Sequence, residues 1–327
     1  MTVLFDRHRR VTSPALAPAA HGGDGRSRRS IELTIGLVNN MPDNALKATD
    51  HQIARLLQEA APRPVRIRLH CFSLPSILRS RTAQSHVAQT YTDLDQLDGL
   101  GIDGLIVTGA EPVAANLRDE PYWPELASII DWAKTNTRST IWSCLAAHAA
   151  VLHLDDIERQ RLAAKCSGIY ECVKVQDDWL TRETRSSLKV PHSRLNAVNE
   201  PLLAARGYDI LTRSAEVGVD IFARSMPSRF IFFQGHPEYD ALSLQREYMR
   251  DIARFLAGQR DDYPRLPKSY FSVETEAVLN AFEARATAKR DPTLAAELPG
   301  LTLRPDLDSS AAQTLFKNWL GFLASGR

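Results

Sequence analysis

Thr140-Ile141-Trp142-Ser143-Cys144-Leu145-Ala146-Ala147-His148-Ala149-Ala150-Val151-Leu152 reads as a short strand that turns directly into a helix, with a cysteine at the corner. A second stretch, Gly104-Leu105-Ile106-Val107-Thr108-Gly109-Ala110, begins with a short apolar run that enters a glycine-containing loop. Runs of four apolar residues without alternation are expected of strands covered on both faces, which is the habit of parallel sheets. Working outward, Ile31 to Val38 is a further strand, and Asp43 caps a helix that carries Ile53, Leu56, Leu57 and Ala60 on one face. Val65, Ile67, Leu69 and Cys71 alternate with Arg66, Arg68 and His70, the pattern of a strand with one wet face. The spacing predicts helices over 122–135, 241–256, 272–286 and 310–325, and strands over 208–214, 217–225 and 229–234. Strands alternate with helices in the first half, so the fold class is α/β with a mainly parallel sheet.

Composition narrows the function. The chain has 327 residues, 44% apolar and 24% charged, ordinary values for a globular protein. Forty Lys and Arg balance 39 Asp and Glu, so no basic excess attracts nucleic acid or an anionic membrane. Four cysteines are too few for a disulfide framework, which predicts a reducing cytoplasm. No apolar stretch is long enough to span a membrane or to serve as a signal-peptide core. Residues 1–30 carry six arginines against two aspartates among Ala, Pro and Gly, and are predicted to be a mobile, basic N-terminal tail.

Cys144 is the first candidate for chemistry. A thiol between a buried strand and a helix N-terminus is held out of the core, where free N–H groups and the dipole favour its thiolate. This is the cysteine form of the nucleophile elbow. The N–H of Leu145 and one from the Gly109 loop would supply two donors to an oxyanion. His236 and Glu238 follow the strand Phe230-Ile231-Phe232-Phe233 within Gly235-His236-Pro237-Glu238-Tyr239, so a carboxylate can orient an imidazole that takes and returns a proton. Strand ends in open α/β sheets form the ligand crevice, and Cys144, Gly109 and His236 are expected to converge there. His148, one helical turn after Cys144, is a rival base of lower rank because its Ala-rich face suits packing. His51, His70, His86 and His153 show no ligand spacing, and no metal is predicted. Cys71, Cys166 and Cys172 read as core residues.

These residues make the chain resemble the homoserine O-acyltransferases of the homoserine O-succinyltransferase type. The likeness runs through Asn39-Asn40-Met41-Pro42, Asp103 to Ala110, Tyr122-Trp123-Pro124, Ser143-Cys144, Lys165 to Glu171 and Pro191-His192-Ser193-Arg194. It continues through Gly235-His236-Pro237-Glu238-Tyr239-Asp240, Arg250-Asp251 and Asn318-Trp319-Leu320. The resemblance implies a class I glutamine amidotransferase-like (flavodoxin-like) fold, a three-layer α/β sandwich with a mainly parallel central sheet and a C-terminal helical extension. It implies an acyltransferase domain over 31–327 and ping-pong transfer from an acyl-CoA co-substrate to the hydroxyl of L-homoserine, within methionine biosynthesis. No permanently bound cofactor is implied, and the partners are small molecules and a second copy in a homodimer. Cys144 takes the nucleophile's position, His236 the base's and Glu238 its partner's, while Lys165, Ser193 and Arg250 match positions that contact the amino acid or the developing charge.

The acyl-pocket loop departs from the family. After Thr108-Gly109-Ala110 it reads Glu111-Pro112-Val113-Ala114, so the residue that sorts succinyl from acetyl donors is Val113 by direct count and Ala114 by alignment on the proline. A small Ala114 favours succinyl, whereas Glu111 facing the pocket would repel a succinyl carboxylate. Asp43-Asn44-Ala45 stands where relatives are more basic, which leaves serine or another hydroxy amino acid open as acceptor. A glutamine amidotransferase-like hydrolase is the remaining alternative, although the outer positions of its G-x-C-x-G elbow are Trp142 and Ala146 here.

Overall fold

In the computed structural model, which describes residues 3–5, 31–298, 301–304 and 310–326, the chain divides into two compact units. The first comprises Met1–Ala146, Ser225–Ile231 and Phe316–Arg327, and the second Ala147–Arg224 and Phe232–Leu315. The first contains β1 (Val3–Phe5), β2 (Ile31–Val38), α1 (Asp43–Ala60), β3 (Val65–Phe72), α2 (Arg81–Thr90), β4 (Gly104–Val107), α3 (Trp123–Asn136) and β5 (Ser139–Ser143). Its strands run in the order β1-β3-β2-β4-β5, and each of these pairs is parallel. Every residue of β4 and β5 is buried; the apolar run of β4 requires this, and β5 buries Ser139, Thr140 and Ser143 beside Ile141 and Trp142.

Val3–Phe5, read from sequence as part of the tail, forms a strand paired with β3, because three apolar residues can extend an open parallel edge. The rest of that arm, residues 6–30, lies outside the described residues.

The helix α4 (Leu145–Asp155) leads into the second unit, where β6 (Gln160–Lys174), β7 (Ser187–Ala197), α5 (Glu200–Ala205), β8 (Asp209–Ser214) and β9 (Gly218–Ser225) follow. These strands pair antiparallel, β9 to β8, β8 to β6 and β6 to β7. The parallel sheet expected from the sequence is thus the property of the first unit, while the second is built from neighbouring antiparallel strands. β7 carries Pro191 in mid-strand, which it tolerates at the end of the strand order, where one side needs no ladder bond. β10 (Arg229–Phe233) starts in the first unit, where Ser139 Oγ donates to the Arg229 carbonyl at 2.7 Å, and ends in the second, where Phe232 stacks on Phe222 with centroids 4.7 Å apart. The helices α6 (Ser243–Leu256) and α7 (Val273–Ala288) complete that unit around a core of Leu244, Tyr248, Ile252, Tyr270, Leu279 and Phe282.

The last helix, α8 (Ser310–Ala324), returns to the first unit, where Trp319 is fully buried and donates from Nε1 to Ser139 Oγ at 3.1 Å. A Cβ on Gly104 would lie 2.5 Å from Leu323 and 2.7 Å from the Trp319 ring, so β4 begins with glycine because this helix packs onto its backbone. Among the described residues no helix is long and apolar enough to cross a membrane.

Candidate active site

β5 ends at Ser143 and α4 begins at Leu145, leaving Cys144 alone at the turn with φ of 51°. A left-handed backbone at a non-glycine residue costs about 1–3 kcal/mol, which the neighbouring structure must offset. Trp142 does so from below: it is fully buried against Phe230, with ring centroids 5.2 Å apart. Cys144 itself stays half-buried, as a strained strand-to-helix elbow that lifts its side chain from the sheet requires. The glycine loop comes to the same place. A Cβ on Gly109 would lie 2.4 Å from Leu145 Cβ and 3.0 Å from the Leu145 nitrogen, so only glycine lets the loop after β4 press on the first turn of α4.

Ala110 is half-buried, and Glu111 is exposed. The following loop is pinned by Glu120, whose Oε1 accepts from the Val113 N–H at 2.7 Å and the Ala114 N–H at 2.6 Å. The two candidates for donor selection differ in setting: the Val113 side chain is 92% exposed, whereas Ala114 is half-buried.

His236, Glu238, Lys165, Ser193 and Arg250 all belong to the second unit. The His236 N–H donates to the Pro191 carbonyl at 2.7 Å, and its buried ring has Nδ1 2.8 Å from Glu238 Oε1. An ionised carboxylate only accepts, so Nδ1 carries a proton toward Glu238. Tyr239 stacks on the imidazole with centroids 4.2 Å apart. Behind the loop, buried Asp220 accepts from the Gly235 N–H at 3.3 Å and from Thr212 Oγ1 at 2.9 Å, with His192 Nε2 3.3 Å away. A Cβ on Gly235 would come within 2.5 Å of Val190 and 2.8 Å of Asp220.

Lys165, Ser193 and Arg250 meet around two carboxylates. Lys165 Nζ reaches Asp251 Oδ2 at 2.8 Å and Glu247 Oε2 at 3.4 Å. Ser193 Oγ also donates to Glu247 Oε2, Tyr239 OH donates to Glu247 Oε1 at 2.5 Å, and Arg250 holds Asp251 Oδ1 through Nε at 3.1 Å and Nη2 at 2.9 Å. Burial alone would raise the pKa of Glu247 and Asp251, but the Lys165 charge and the donated hydrogen bonds hold both below the ordinary carboxylate range. Glu247 went unread in the sequence. Its signal was the spacing Glu247, Arg250, Asp251, which puts all three on one face of α6.

The rival base is unsuited. His148 is fully buried, its pKa pushed down to about 4 by desolvation, and its Nε2 lies 3.1 Å from Gln234 Oε1. One trio among the described residues has metal-like proximity: Cys172, His192 and Asp220, all buried. Arg194 Nε donates to His192 Nδ1 at 3.3 Å, so Nε2 carries the proton and faces Asp220, while burial pushes the Cys172 thiol pKa up. A metal there would need the lone pair this tautomer lacks, and the trio reads as a hydrogen-bonded support.

The geometry agrees with what the chain is similar to. The family profile described as HTS: Homoserine O-succinyltransferase matches residues 19–326. A homoserine O-succinyltransferase of Bradyrhizobium japonicum is 80% identical over 327 residues, covering 100% of both chains, and one of Rhodopseudomonas palustris is 54% identical over 99% of each. A glutamine amidotransferase of Thermotoga maritima, solved as a crystal structure, superposes with a TM-score of 0.51 over 91% of this chain and 99% of its own. At 13% identity that likeness concerns the fold alone. On the family profile and these full-length identities, the chain belongs to the homoserine O-succinyltransferase family of acyltransferases.

Proposed function

We propose that the chain transfers a succinyl group from succinyl-CoA to the hydroxyl of L-homoserine through a thioester on Cys144. The observation that carries this reading is the elbow at Cys144, a left-handed nucleophile position with the Gly109 loop packed on the Leu145 nitrogen. Relatives that are named homoserine O-succinyltransferases across the full length support the choice of donor and acceptor.

In this mechanism His236 Nε2 takes the Cys144 thiol proton, and the sulfur bonds to the thioester carbonyl carbon while the carbonyl π pair moves onto oxygen. The N–H groups of Leu145 and Gly109 receive that oxyanion. Collapse expels the CoA thiolate, which takes the proton from the imidazolium, and the acyl group stays on Cys144. The homoserine hydroxyl then gives its proton to Nε2, its oxygen attacks the acyl carbon, and Cys144 leaves as thiolate to be reprotonated. Glu238, bonded to Nδ1, keeps Nε2 available in both halves. Lys165, Ser193 and Arg250 would bind the amino acid, with Glu247 accepting from its ammonium and the cations facing its carboxylate. A small side chain at Ala114 would suit the longer acyl chain. Such an ester feeds a step that displaces succinate from the activated hydroxyl, consistent with methionine biosynthesis.

The test crosses succinyl-CoA and acetyl-CoA with homoserine and serine, reading free CoA release and the intact mass of the enzyme. A succinyl adduct on Cys144, discharged by homoserine, is the expected result. Turnover without any adduct would sink the ping-pong scheme, and discharge by serine alone would move the acceptor.

A further inference from the structure

The Asn39-Asn40-Met41-Pro42 motif has no part in the chemistry above, yet both asparagines are buried. Asn39 is spent on its own neighbourhood, donating to the Leu46 carbonyl at 3.0 Å and to Asp50 Oδ1 at 2.8 Å. Asn40 spends its groups on the approach to the glycine loop. Its backbone N–H donates to Thr108 Oγ1 at 2.8 Å, its Nδ2 donates to the Thr108 carbonyl at 3.1 Å, and its Oδ1 accepts from the Leu74 N–H at 3.3 Å. The Thr108 N–H donates in turn to the Val38 carbonyl at 3.0 Å. Thr108 is therefore held at its nitrogen, its hydroxyl and its carbonyl.

The carbonyl bond matters most for the next residue. A trans peptide is planar, and its C=O and following N–H point to opposite sides. Pinning the Thr108 oxygen toward Asn40 thereby fixes the direction of the Gly109 N–H. Gly109 has no side chain to anchor it, so its neighbours must set the orientation of that peptide. We propose that Asn40 is a positioning residue for acyl transfer: by clamping Thr108 it orients the Gly109 N–H that receives the oxyanion. This rests on the acyl-transfer reading given above.

The clamp is tested by single-turnover acylation of the full-length enzyme with succinyl-CoA, following Cys144 labelling by quenched intact-mass measurement. Asn40→Asp is isosteric, keeps the acceptor for Leu74 and replaces the donor to Thr108 with an oxygen. Thr108→Val keeps the shape and removes the hydroxyl, and Thr108→Ser restores it. Loss of a direct oxyanion donor costs about 10²–10³ in rate, so a misaimed one is expected to slow acylation by roughly tenfold or more in Asn40→Asp and Thr108→Val. The KM for succinyl-CoA should change little, and Thr108→Ser should recover most of the rate. A residue that only supports folding would lower the melting temperature or the labelled fraction and leave the acylation rate constant unchanged, and that result in both variants overturns the proposal. If Asn40→Asp fails to fold, Asn40→Ala, which also removes the donor to the Thr108 carbonyl, takes its place, and an acylation rate equal to wild type there overturns the proposal. Absence of any adduct on the wild type overturns the acyl-transfer reading, and this inference falls with it; normal wild-type labelling with unslowed variants overturns this inference only.

Discussion

The two units hold their reactive groups by different physics. In the first, Cys144 owes its setting to the backbone: a left-handed turn between two buried elements, with a glycine loop against the helix start. In the second, His236 owes its setting to side chains: Glu238 on Nδ1, Tyr239 on the ring face and Asp220 on the main chain of Gly235. Parallel strands with crossover helices bring strand ends and helix starts together, which suits a nucleophile elbow. The antiparallel second unit instead shifts register beside Thr212, and there Asp220 joins Thr212 and His192 in a side-chain network. The lesson is that substitutions should act differently in the two. Changes at the elbow remove the reaction, whereas changes in the network reduce it by degrees.

The sharpest separation comes from Cys144→Ala, which is expected to abolish the succinyl adduct in intact-mass spectra while the melting temperature stays near wild type, because relieving a thiol at a half-buried turn removes little packing. An adduct elsewhere on the chain would break the comparison at its root. His236→Asn should leave the adduct attainable but slow its formation, on the order of 10² or more, the usual worth of a positioned general base. Equal single-turnover rates would remove the base assignment.

Acid should weaken the second unit through its buried histidines. His148 is held neutral with a pKa near 4, against an ordinary 6.5, so between these values the unfolded chain binds the extra proton and stability falls as pH falls. The shift corresponds to about 3 kcal/mol at the acid end. His192 is shifted in the same direction, burial again being the main cause. Urea midpoints measured from pH 7 down to 4.5 should decline, and His148→Gln should flatten the slope; an unchanged slope would locate the acid sensitivity elsewhere. The smallest effect is expected of Glu238→Gln, which keeps a hydrogen-bond acceptor on Nδ1 but loses the charge, and should lower kcat about tenfold. A hundredfold loss would mean that the carboxylate does more than hold the tautomer.

Much of this was legible before any coordinates. The short apolar run at Gly104 read as a covered strand, the run at Thr140 as another short strand, and Cys144 between it and an Ala-rich helix as sitting at a corner, as the structure has them. The pair His236 and Glu238 was legible because a tight loop brings residues two apart within hydrogen-bond reach. The strand β6 and its partner β7 were harder to read. Lys165, Ser167 and Glu171 break the apolar alternation of the first, and Pro191 argues against the second unless its place in the strand order is known.

Glu247 shows the limit from another side: it stands among Arg246, Arg250, Asp251 and Arg254, and local sequence treats such a run as solvated surface. Only the arrival of Lys165 and Ser193 from β6 and β7 turns that face of α6 into a buried cluster. Asn40 was visible as part of a motif, yet its task depended on Thr108, 68 positions away. Sequence alone therefore determined the strands and helices of the first half, the corner cysteine and the histidine loop, which follow from local periodicity and short-range covalent reach, and, through its motifs, the family. The folded chain decided which polar side chains are partnered and which glycines are indispensable, because burial and hydrogen bonding depend on neighbours that the linear order keeps far apart.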